Sequence, residues 1–301
     1  MPESNSQGSS MMSVDTSFPS STQPYGPTGE RQTRAVQPAE DGAKSRVWWT
    51  GLFFGVATQV FFLWTAWHLF LFLRDGAFGP GAFRPWLDTF LAFLFVAPHS
   101  VLLFPKVQST IKQWLPSAWT GCLHCMATCL SLWLLFRFWT ASPATVWDLH
   151  GWSRSFMLMA FYGSWIGLLY SLWLTGMGYQ TGWTPWWYWL RGRKPPRREF
   201  RESGAFRWMR HPVYLSFLGL IWFTPRMTLD HAILTAAWTF YIYLGSYWKD
   251  RRMIHYLGES YREYASRVTG FPLIGFGPWG RMRQSQRSCQ PDYATPCSTA
   301  P

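Results

Sequence analysis

Residues 47–73 read VWWTGLFFGVATQVFFLWTAWHLFLFL and contain no Asp, Glu, Lys or Arg. The hydrocarbon core of a bilayer is about 30 Å thick, and a helix needs about 20 apolar residues to cross it. Arg46 directly precedes the run and Arg74 directly follows it. The stretch therefore predicts a transmembrane helix, and with it an integral membrane protein.

Further apolar runs follow along the chain and share this low charge. They cover residues 86–105, 118–140, 155–177, 213–224 and 232–248. The run at 213–224 is too short to cross a bilayer upright, so we expect it to pair with the next run as a helical hairpin around the polar turn at 225–231. The pattern predicts an all-α integral membrane protein with about five to six transmembrane helices and a C-terminal helical hairpin.

The composition excludes several other classes of protein. Apolar residues make up 48% of the 301 residues and aromatic residues 20%, including 22 Trp. Charged residues make up 14%, against about 25% in an ordinary globular domain. A disordered chain, a collagen-like protein and a disulfide-rich secreted domain are thereby excluded. The mean hydropathy of −0.06 averages a polar N-terminal stretch with this apolar body.

The chain divides into four parts by composition. Residues 1–45 are rich in Ser, Pro, Gln, Thr and Gly, and we expect a disordered tail with no cleavable signal peptide. Residues 46–178 hold the first four predicted helices, and residues 179–275 hold the polar motifs and the hairpin. Residues 276–301 are predicted to form a flexible tail.

The distribution of cationic residues predicts the orientation in the membrane. With a cytoplasmic N-terminus, 22 of the 27 Lys and Arg residues fall on the cytoplasmic side and 4 on the opposite side. Cytoplasmic loops carry an excess of Lys and Arg, so both termini are predicted to be cytoplasmic. The net charge of +12 then reflects topology and contact with lipid headgroups, and no nucleic-acid partner is expected.

A cysteine cluster in the third run has a structural interpretation. Cys122, Cys125 and Cys129 recur on one face of the predicted helix. Structural zinc sites usually take ligands from two segments, whereas small residues commonly pack between membrane helices. No metal site is therefore predicted.

Polar residues meet the membrane segments most densely before the run at 213–224. Arg210-His211-Pro212 precedes this run, and Tyr214 lies just inside it. Proline favours the first turn of a helix, so a helix is predicted to start here. Free backbone N–H groups at such a start can hold an anion. The same residues also fit a simple helix start flanked by arginines, and the spacing leaves both interpretations open.

From this point onward the chain resembles the isoprenylcysteine carboxyl methyltransferase superfamily of integral-membrane enzymes. The family pattern is Arg-His-Pro-x-Tyr, an apolar span, a Glu-Glu pair, Phe-Gly-x-x-Tyr-x-x-Tyr and Val. The matching positions are Arg210, His211, Pro212, Tyr214, Lys249, Asp250, Leu257, Gly258, Tyr261, Tyr264 and Val268. The resemblance covers roughly residues 47–275 and is most specific in the C-terminal half.

Within the superfamily the chain looks most like the methanethiol S-methyltransferase branch. The matching stretches are His99-Ser100-Val101, residues 143–148, and residues 224–228 followed by His231. Two positions depart from the pattern. Lys249 stands where the family has the first Glu, and residues 177–182 keep only the final Gly of a His-Phe-Asp/Glu-Leu-Phe-Gly stretch.

The resemblance implies S-adenosyl-L-methionine as the methyl donor, bound in a cytoplasmic cofactor pocket. The cofactor-binding residues that it implies are Arg210, His211, Pro212, Tyr214, Asp250, Arg251, Tyr261 and Tyr264. The catalytic candidates are Arg210, His211 and His231. A thiol must lose its proton to react, so either histidine could serve as a base, or a nearby arginine could lower the thiol pKa.

The resulting functional hypothesis is an integral-membrane methyltransferase that acts on a small thiol of the methanethiol type. One alternative is methylation of a prenylcysteine carboxylate or a lipid amine. Another is a catalytically silent membrane relative with a binding or regulatory role, which the two departures leave open. The expected partners are a small thiol or another apolar acceptor, and membrane lipids.

Overall fold

The computed structural model describes residues 37–76, 82–196, 202–272 and 274–282. Within these ranges the chain is mainly helical and has one small sheet. By its internal contacts the chain divides into two units, Met1–Val47 and Trp48–Pro301, and the helix packing lies within the second unit. The helices are α1 (Gln37–Asp75), α2 (Pro85–Val101), α3 (Pro105–Trp114), α4 (Thr120–Phe138), α5 (Gly151–Thr175), α6 (Met177–Gln180), α7 (Trp183–Leu190), α8 (Pro212–Trp222), α9 (Leu229–Leu257) and α10 (Glu259–Arg267).

Three segments of the described chain are long and apolar enough to cross a membrane. They are Ser45–Asp75, Ser117–Phe138 and Gly151–Thr175. Helices α2 and α3 pass the same test only as a pair, which raises the count to four. The predicted integral membrane protein of helical architecture is thereby confirmed, while the count of five to six transmembrane helices stays a prediction.

The predicted run at 86–105 ends in a sharp bend. Helix α2 stops at Val101, and α3 starts at Pro105 at an angle of 72° to it. Phe104, the residue before the proline, has extended backbone angles. A proline ring disfavours the helical conformation of the preceding residue, which explains why the helix cannot continue through this point.

The apolar core of the described chain lies between six helices, and α1 contributes Phe72 and Leu73 to it. Helix α5 packs against α8, and α2 packs against both α4 and α9. The carboxylate of Asp88 on α2 is fully buried, and it accepts hydrogen bonds from the backbone N and the hydroxyl of Thr140. A buried charged group is tolerated because its hydrogen bonds are satisfied. The core includes Leu91, Ala92, Leu132, Leu135, Phe161, Leu168, Leu220, Ile221, Leu234 and Trp238.

The segment between α8 and α9 differs from the predicted polar turn. Arg226–Thr228 forms strand β2, which pairs antiparallel with β1 at Thr145–Asp148. The fold fits the predicted all-α class, and this two-stranded sheet is an addition that the sequence did not predict. The backbone N–H and C=O groups of an extended segment find no hydrogen-bond partners within that segment. Because two such segments reach the same end of the bundle, they pair with each other. The carboxylate of Asp230, next to β2, accepts bonds from the backbone N of Ser142 and the indole of Trp139.

The structure describes a part of each segment that the sequence predicts to be a tail. Helix α1 begins at Gln37, inside the segment 1–45, and residues 1–36 lie outside the described residues. At the other end the ordered chain continues past residue 275 through a 3₁₀ turn at Gly277–Trp279. The rest of the predicted C-terminal tail, residues 283–301, also lies outside the described residues.

Candidate functional site

A single carboxylate near the C-terminal end of α9 joins three parts of the chain. Asp250 Oδ2 lies 3.1 Å from Arg210 Nη2 and 3.3 Å from His211 Nε2, while Oδ1 accepts a 2.5 Å hydrogen bond from the hydroxyl of Tyr261. Asp250, Arg210, His211 and Tyr261 are all at most 2% exposed. We call these four residues the carboxylate cluster. It connects α9, the segment before α8, and α10.

Arg210 also holds the chain that follows α10. Its Nη1 donates to the carbonyls of Ala265 and Val268, each at 3.0 Å, and its Nη2 donates to the carbonyl of Pro278 at 3.1 Å. The last carbonyls of a helix have no partner within the helix, and a cation there is favourable. Arg210 therefore satisfies the end of α10, and most of its donors are already used.

His211 and Pro212 form the helix start that the sequence predicts. Pro212 is the first residue of α8, and His211 is its N-cap. The backbone N–H groups of Arg210 and His211 donate to the carbonyls of Thr269 and Gly270, at 2.9 and 3.1 Å. The expectation of a free donor fails for His211, because its N–H is paired with the chain after α10.

The protonation of the cluster follows from burial and charge. Burial lowers the pKa of His211 to about 4, although its hydrogen bond to Asp250 opposes that shift. Burial alone would raise the pKa of Asp250, but the hydrogen bond from His211 and the positive charge of Arg210 hold it below its ordinary value. At neutral pH Asp250 is therefore ionised and His211 is neutral, with its proton on Nε2 toward the carboxylate.

Two buried polar atoms of the cluster lack a hydrogen-bond partner among the described residues. They are His211 Nδ1 and Arg210 Nε. Since Nε2 of the neutral ring donates to Asp250, Nδ1 carries an unshared electron pair. Unsatisfied buried polar groups are rare in folded proteins, and a bound ligand is one explanation for them.

Lys249, next to Asp250, points to the same region. Its Nζ donates to the carbonyl of Arg210 at 3.0 Å. It also lies 5.5 Å from the ring centre of Phe206 and 5.8 Å from that of Tyr214, in the range of cation–π contacts. Lys249 is a member of the site that was identified in the sequence only as a departure from the family pattern.

The two predicted tyrosines of α10 lie side by side. The rings of Tyr261 and Tyr264 are 5.6 Å apart, and burial raises the pKa of both phenols. Tyr264 donates to the carbonyl of Phe206 at 2.7 Å, which ties α10 to the segment before α8. Tyr214, on the first turn of α8, lies edge-on to His211, with ring centres 5.5 Å apart.

Two predicted residues are not brought to the cluster. Arg251 is exposed and donates to the hydroxyl of Tyr247, one turn earlier on α9. His231 lies near the other end of α9, about 28 Å along the helix axis from Asp250 at a rise of about 1.5 Å per residue. Its Nε2 donates to the carbonyl of Ile221 at 3.2 Å, which satisfies the last turn of α8.

The segment after α10 contributes residues that sequence analysis assigned to a tail. The indole of Trp279 donates to Ser246 Oγ at 2.9 Å, and the carbonyl of Trp279 accepts from Gly270 N. Phe271 packs on His211, with ring centres 5.3 Å apart. The Gly-Pro-Trp-Gly stretch at 277–280 was the available signal, since Gly-Pro marks an ordered turn as readily as a loop.

The residues fit a cofactor with hydrogen-bonding groups better than a metal ion. No group of three or more His, Cys, Asp or Glu side chains in the described ranges could hold a metal. The unpartnered His211 Nδ1, the ammonium of Lys249 and the aromatic rings beside them offer instead an acceptor, a cation and apolar walls. These features define a helical integral membrane protein with a buried ionic site at one end of the helix bundle.

Curated relatives align with much of the chain. The chain is 28% identical over 232 residues to a methanethiol S-methyltransferase of Pseudomonas sp. (strain GM41(2012)), covering 72% of this chain and 88% of that protein. It is 26% identical over 181 residues to a methanethiol S-methyltransferase of Mycobacterium tuberculosis, covering 58% and 72%. It is also 26% identical over 167 residues to nurim of Xenopus laevis, covering 52% and 58%. No family model matches the chain, and no solved structure matches it.

These relatives support the resemblance to the isoprenylcysteine carboxyl methyltransferase superfamily, and within it to the branch that holds the methanethiol S-methyltransferases. The resemblance read from the sequence is thereby confirmed. The motif residues of that resemblance that the structure gathers are Arg210, His211, Pro212, Tyr214, Lys249, Asp250, Tyr261 and Tyr264.

Proposed function

We propose that this chain is an integral-membrane methyltransferase that moves a methyl group from S-adenosylmethionine to a small thiol of the methanethiol type. The observation that carries the proposal is the carboxylate cluster itself. Arg210 and His211 share one buried carboxylate with Tyr261, although Asp250 lies on another helix. The names of relatives that align over most of both chains support the reaction and its acceptor.

The cofactor, when bound, supplies a methyl group on a positively charged sulfur. The chain must bind it, orient it and exclude water, since alignment of reactants provides much of the rate in such displacements. His211 Nδ1 is an acceptor for a ribose hydroxyl or an amine of the cofactor. Asp250 accepts a hydrogen bond from Nε2–H, which keeps the proton of the neutral ring on Nε2 and leaves Nδ1 unprotonated. Tyr214 and Tyr264 contribute walls, and Pro212 sets the start of α8.

Arg210 has a positioning role in this proposal. Its guanidinium is bound to Asp250 and to three backbone carbonyls, so it fixes the cluster rather than meeting the cofactor carboxylate with its full fork. Arg251 follows Asp250 in the chain and is exposed, so it is a cation that the cofactor carboxylate could reach. We assign no catalytic step to His231, because it caps α8 at the far end of α9.

We further propose that the site opens to the cytoplasm and that both termini lie there. The counts of 22 cytoplasmic and 4 external Lys and Arg residues support this orientation. A polar, charged cofactor is available on that side, while a small apolar thiol can also approach through the lipid. The five to six transmembrane helices of this proposal include α8 and α9 as a membrane hairpin.

The test uses the full-length protein in nanodiscs with methyl-labelled S-adenosylmethionine. We expect cofactor binding, and release of dimethyl sulfide into the headspace when methanethiol is added. His211→Ala and Asp250→Ala should both weaken cofactor binding, whereas His255→Ala, an exposed histidine on the same α9, should not. Absence of cofactor binding by the unaltered protein would overturn the proposal.

The alternatives of the same family give different outcomes in the same assay. Label transferred to a prenylcysteine carboxylate or a lipid amine, with none on methanethiol, would identify another acceptor. Binding without transfer to any thiol, carboxylate or amine would identify a silent relative. Lys249 in place of a family glutamate is the observation that favours the silent relative, and its surroundings lead to a different explanation for this residue.

A further inference from the structure

Lys249 carries a positive charge that the described part of the chain does not neutralise directly. Its Nζ donates one hydrogen bond there, to the carbonyl of Arg210, and it forms no ion pair with a described carboxylate. An ammonium group has three donors, so two remain for other partners. The side chain is only partly exposed, and removing an unpaired charge from water is unfavourable.

The neighbouring carboxylate cannot compensate for this charge fully. Both oxygens of Asp250 already accept hydrogen bonds, from Arg210 and His211 on one side and from Tyr261 on the other. With Arg210 charged, Asp250 ionised and His211 neutral, the cluster and Lys249 together hold an excess of one positive charge. A bound anion would therefore be stabilised at Lys249.

The surroundings of Nζ indicate what kind of anion fits. The ring centres of Phe206 and Tyr214 lie 5.5 and 5.8 Å from Lys249 Nζ. The ammonium group therefore faces an apolar surface, and these two side chains offer no further cation or hydrogen-bond fork to an anion. A carboxylate is matched best by the planar fork of an arginine, whereas lysine acts as a compact point charge. An ammonium beside two rings suits a ligand with one charged atom and a small apolar body.

We propose that Lys249 binds the methyl acceptor as its thiolate, with the alkyl group against Phe206 and Tyr214. This inference rests on the proposed methyltransferase function and names the form of substrate that the site takes. Lys249, at the position where the family pattern has a glutamate, would attract the anionic sulfur, whereas a glutamate would repel it.

The reaction balances with this role. The thiol loses its proton to water when it binds, and the ammonium of Lys249 stabilises the anion that remains. The thiolate sulfur forms a bond to the methyl carbon while the bond from that carbon to the sulfonium sulfur breaks. The electron pair of the broken bond stays on the leaving sulfur, so one anion and one cation become two neutral thioethers.

The titration of Lys249 agrees with this geometry. Burial lowers its pKa to about 8, Asp250 opposes that shift, and the charges of Arg252 and Arg210 add to it. The groups that face it are Asp250 and Arg252 from α9, Arg210 and His211 from the segment before α8, and Tyr214 from α8. Lysine is therefore mainly charged at pH 7 and loses its charge above about pH 8.

The test compares Lys249→Gln, which keeps a donor for the Arg210 carbonyl, with Lys249→Arg, which keeps the charge. Lys112→Met is the control, since Lys112 is exposed on α3. At pH 7 we expect Lys249→Gln to raise the KM for methanethiol about tenfold or more. Raising the pH from 7 to about 9 should raise the rate of Lys249→Gln, because the thiolate fraction of an alkyl thiol grows about tenfold for each pH unit below its pKa. Lys112→Met should stay within about threefold of the unaltered protein. Lys249→Arg keeps the charge on a different shape, so its KM should lie between those of the unaltered protein and Lys249→Gln.

A second measurement does not depend on turnover. Thermal unfolding is followed with methanethiol and S-adenosylhomocysteine, which cannot donate a methyl group. Methanethiol should raise the midpoint for the unaltered protein and for Lys249→Arg but not for Lys249→Gln. An unchanged thiol response of Lys249→Gln, or loss of its cofactor binding with an unchanged KM for the thiol, would overturn the role of Lys249. Absence of methylated product from the unaltered protein, with its thiol response intact, would overturn the proposed function alone.

Discussion

Arg210 and Asp250 form a buried ion pair, with Nη2 and Oδ2 3.1 Å apart and both side chains at most 3% exposed. The pair joins two segments that are separated by the whole of α8 and most of α9. Buried ion pairs add little net stability compared with apolar packing, but loss of one partner leaves an uncompensated charge. The pair therefore ties the end of α9 to the start of α8 and makes the site sensitive to single substitutions.

Replacing Asp250 with Asn should destabilise the protein strongly. The substitution leaves the guanidinium of Arg210 buried without its counter-charge, and breaking such pairs typically costs about 3–5 kcal/mol. Thermal unfolding in nanodiscs measures the effect. Asp148→Asn is the control, because its contact with Arg226 is 3.8 Å long and exposed on both sides, and its effect should stay below about 1 kcal/mol. Equal effects of the two substitutions would contradict the structural importance of the Arg210–Asp250 pair.

His211 should make the stability depend on pH. Its pKa in the folded protein, about 4, lies below the ordinary value of about 6.5, so the neutral form is the one that the fold favours. The stability linked to this histidine is therefore complete above pH 6.5 and declines as the pH falls from 6.5 toward 4, by about 3 kcal/mol in total. Unfolding midpoints over this range should decline more for the unaltered protein than for His211→Gln.

The pH experiment on His211→Gln needs a control variant and an outcome that would contradict it. His255→Gln alters an exposed histidine on α9 and should leave the pH dependence unchanged. Identical pH profiles for His211→Gln and the unaltered protein would mean that the imidazole of His211 does not titrate differently in the folded state.

Gly182 should not tolerate a side chain. Its backbone has φ of +79°, which L-residues other than glycine rarely adopt. A Cβ there would lie 2.3 Å from the backbone N of Cys122, which is too close for any rearrangement short of moving α4. We expect Gly182→Ala to lower the unfolding midpoint by several degrees, corresponding to more than about 1 kcal/mol. Gly163→Ala is the control, since a Cβ at Gly163 meets no atom within 4 Å, and similar losses for both would argue against the close contact.

Trp279 should contribute to stability although it lies beyond the family motifs. Its indole bonds Ser246 and its ring packs edge-on against Tyr243, with ring centres 5.3 Å apart. Because the side chain is half-buried, Trp279→Ala should cost about 2 kcal/mol, less than a fully buried tryptophan. The same change at Trp114, which is 83% exposed, should alter the unfolding midpoint little. A midpoint for Trp279→Ala within the range of Trp114→Ala would show that residues 276–282 are not part of the folded unit.

The motif residues could be found in the sequence, but several of their contacts could not. Arg210, His211, Asp250 and Tyr261 were identified because their residue types and order match a family pattern, which says nothing of which atoms meet. The resemblance also made His231, in the predicted hairpin turn, a catalytic candidate, and the structure puts it at the opposite end of α9. A helix of 29 residues separates its ends by about 42 Å, and only the fold decides which end another segment reaches.

The small sheet shows the same limit at the other end of the bundle. Residues 143–148 and 224–228 were singled out as separate matches to the family branch. They pair with each other as β1 and β2, and Trp147 donates to the carbonyl of Thr224. Short strands at the end of a helical bundle carry too few residues for a period-two pattern to be recognised, so their pairing depends on the helices that bring them together.

By itself, the sequence determined that this is a helical membrane protein that resembles a methyltransferase family. Long apolar runs and ordered motifs depend on local chemistry, and both are written along the chain. The tertiary structure decided which polar groups surround Asp250 and that Arg210 is used mainly on backbone carbonyls. It also decided that Lys249 faces aromatic rings and has no carboxylate partner among the described residues. These depend on hydrogen bonds and burial between segments that are distant in sequence, whose energies exist only when the segments are packed together.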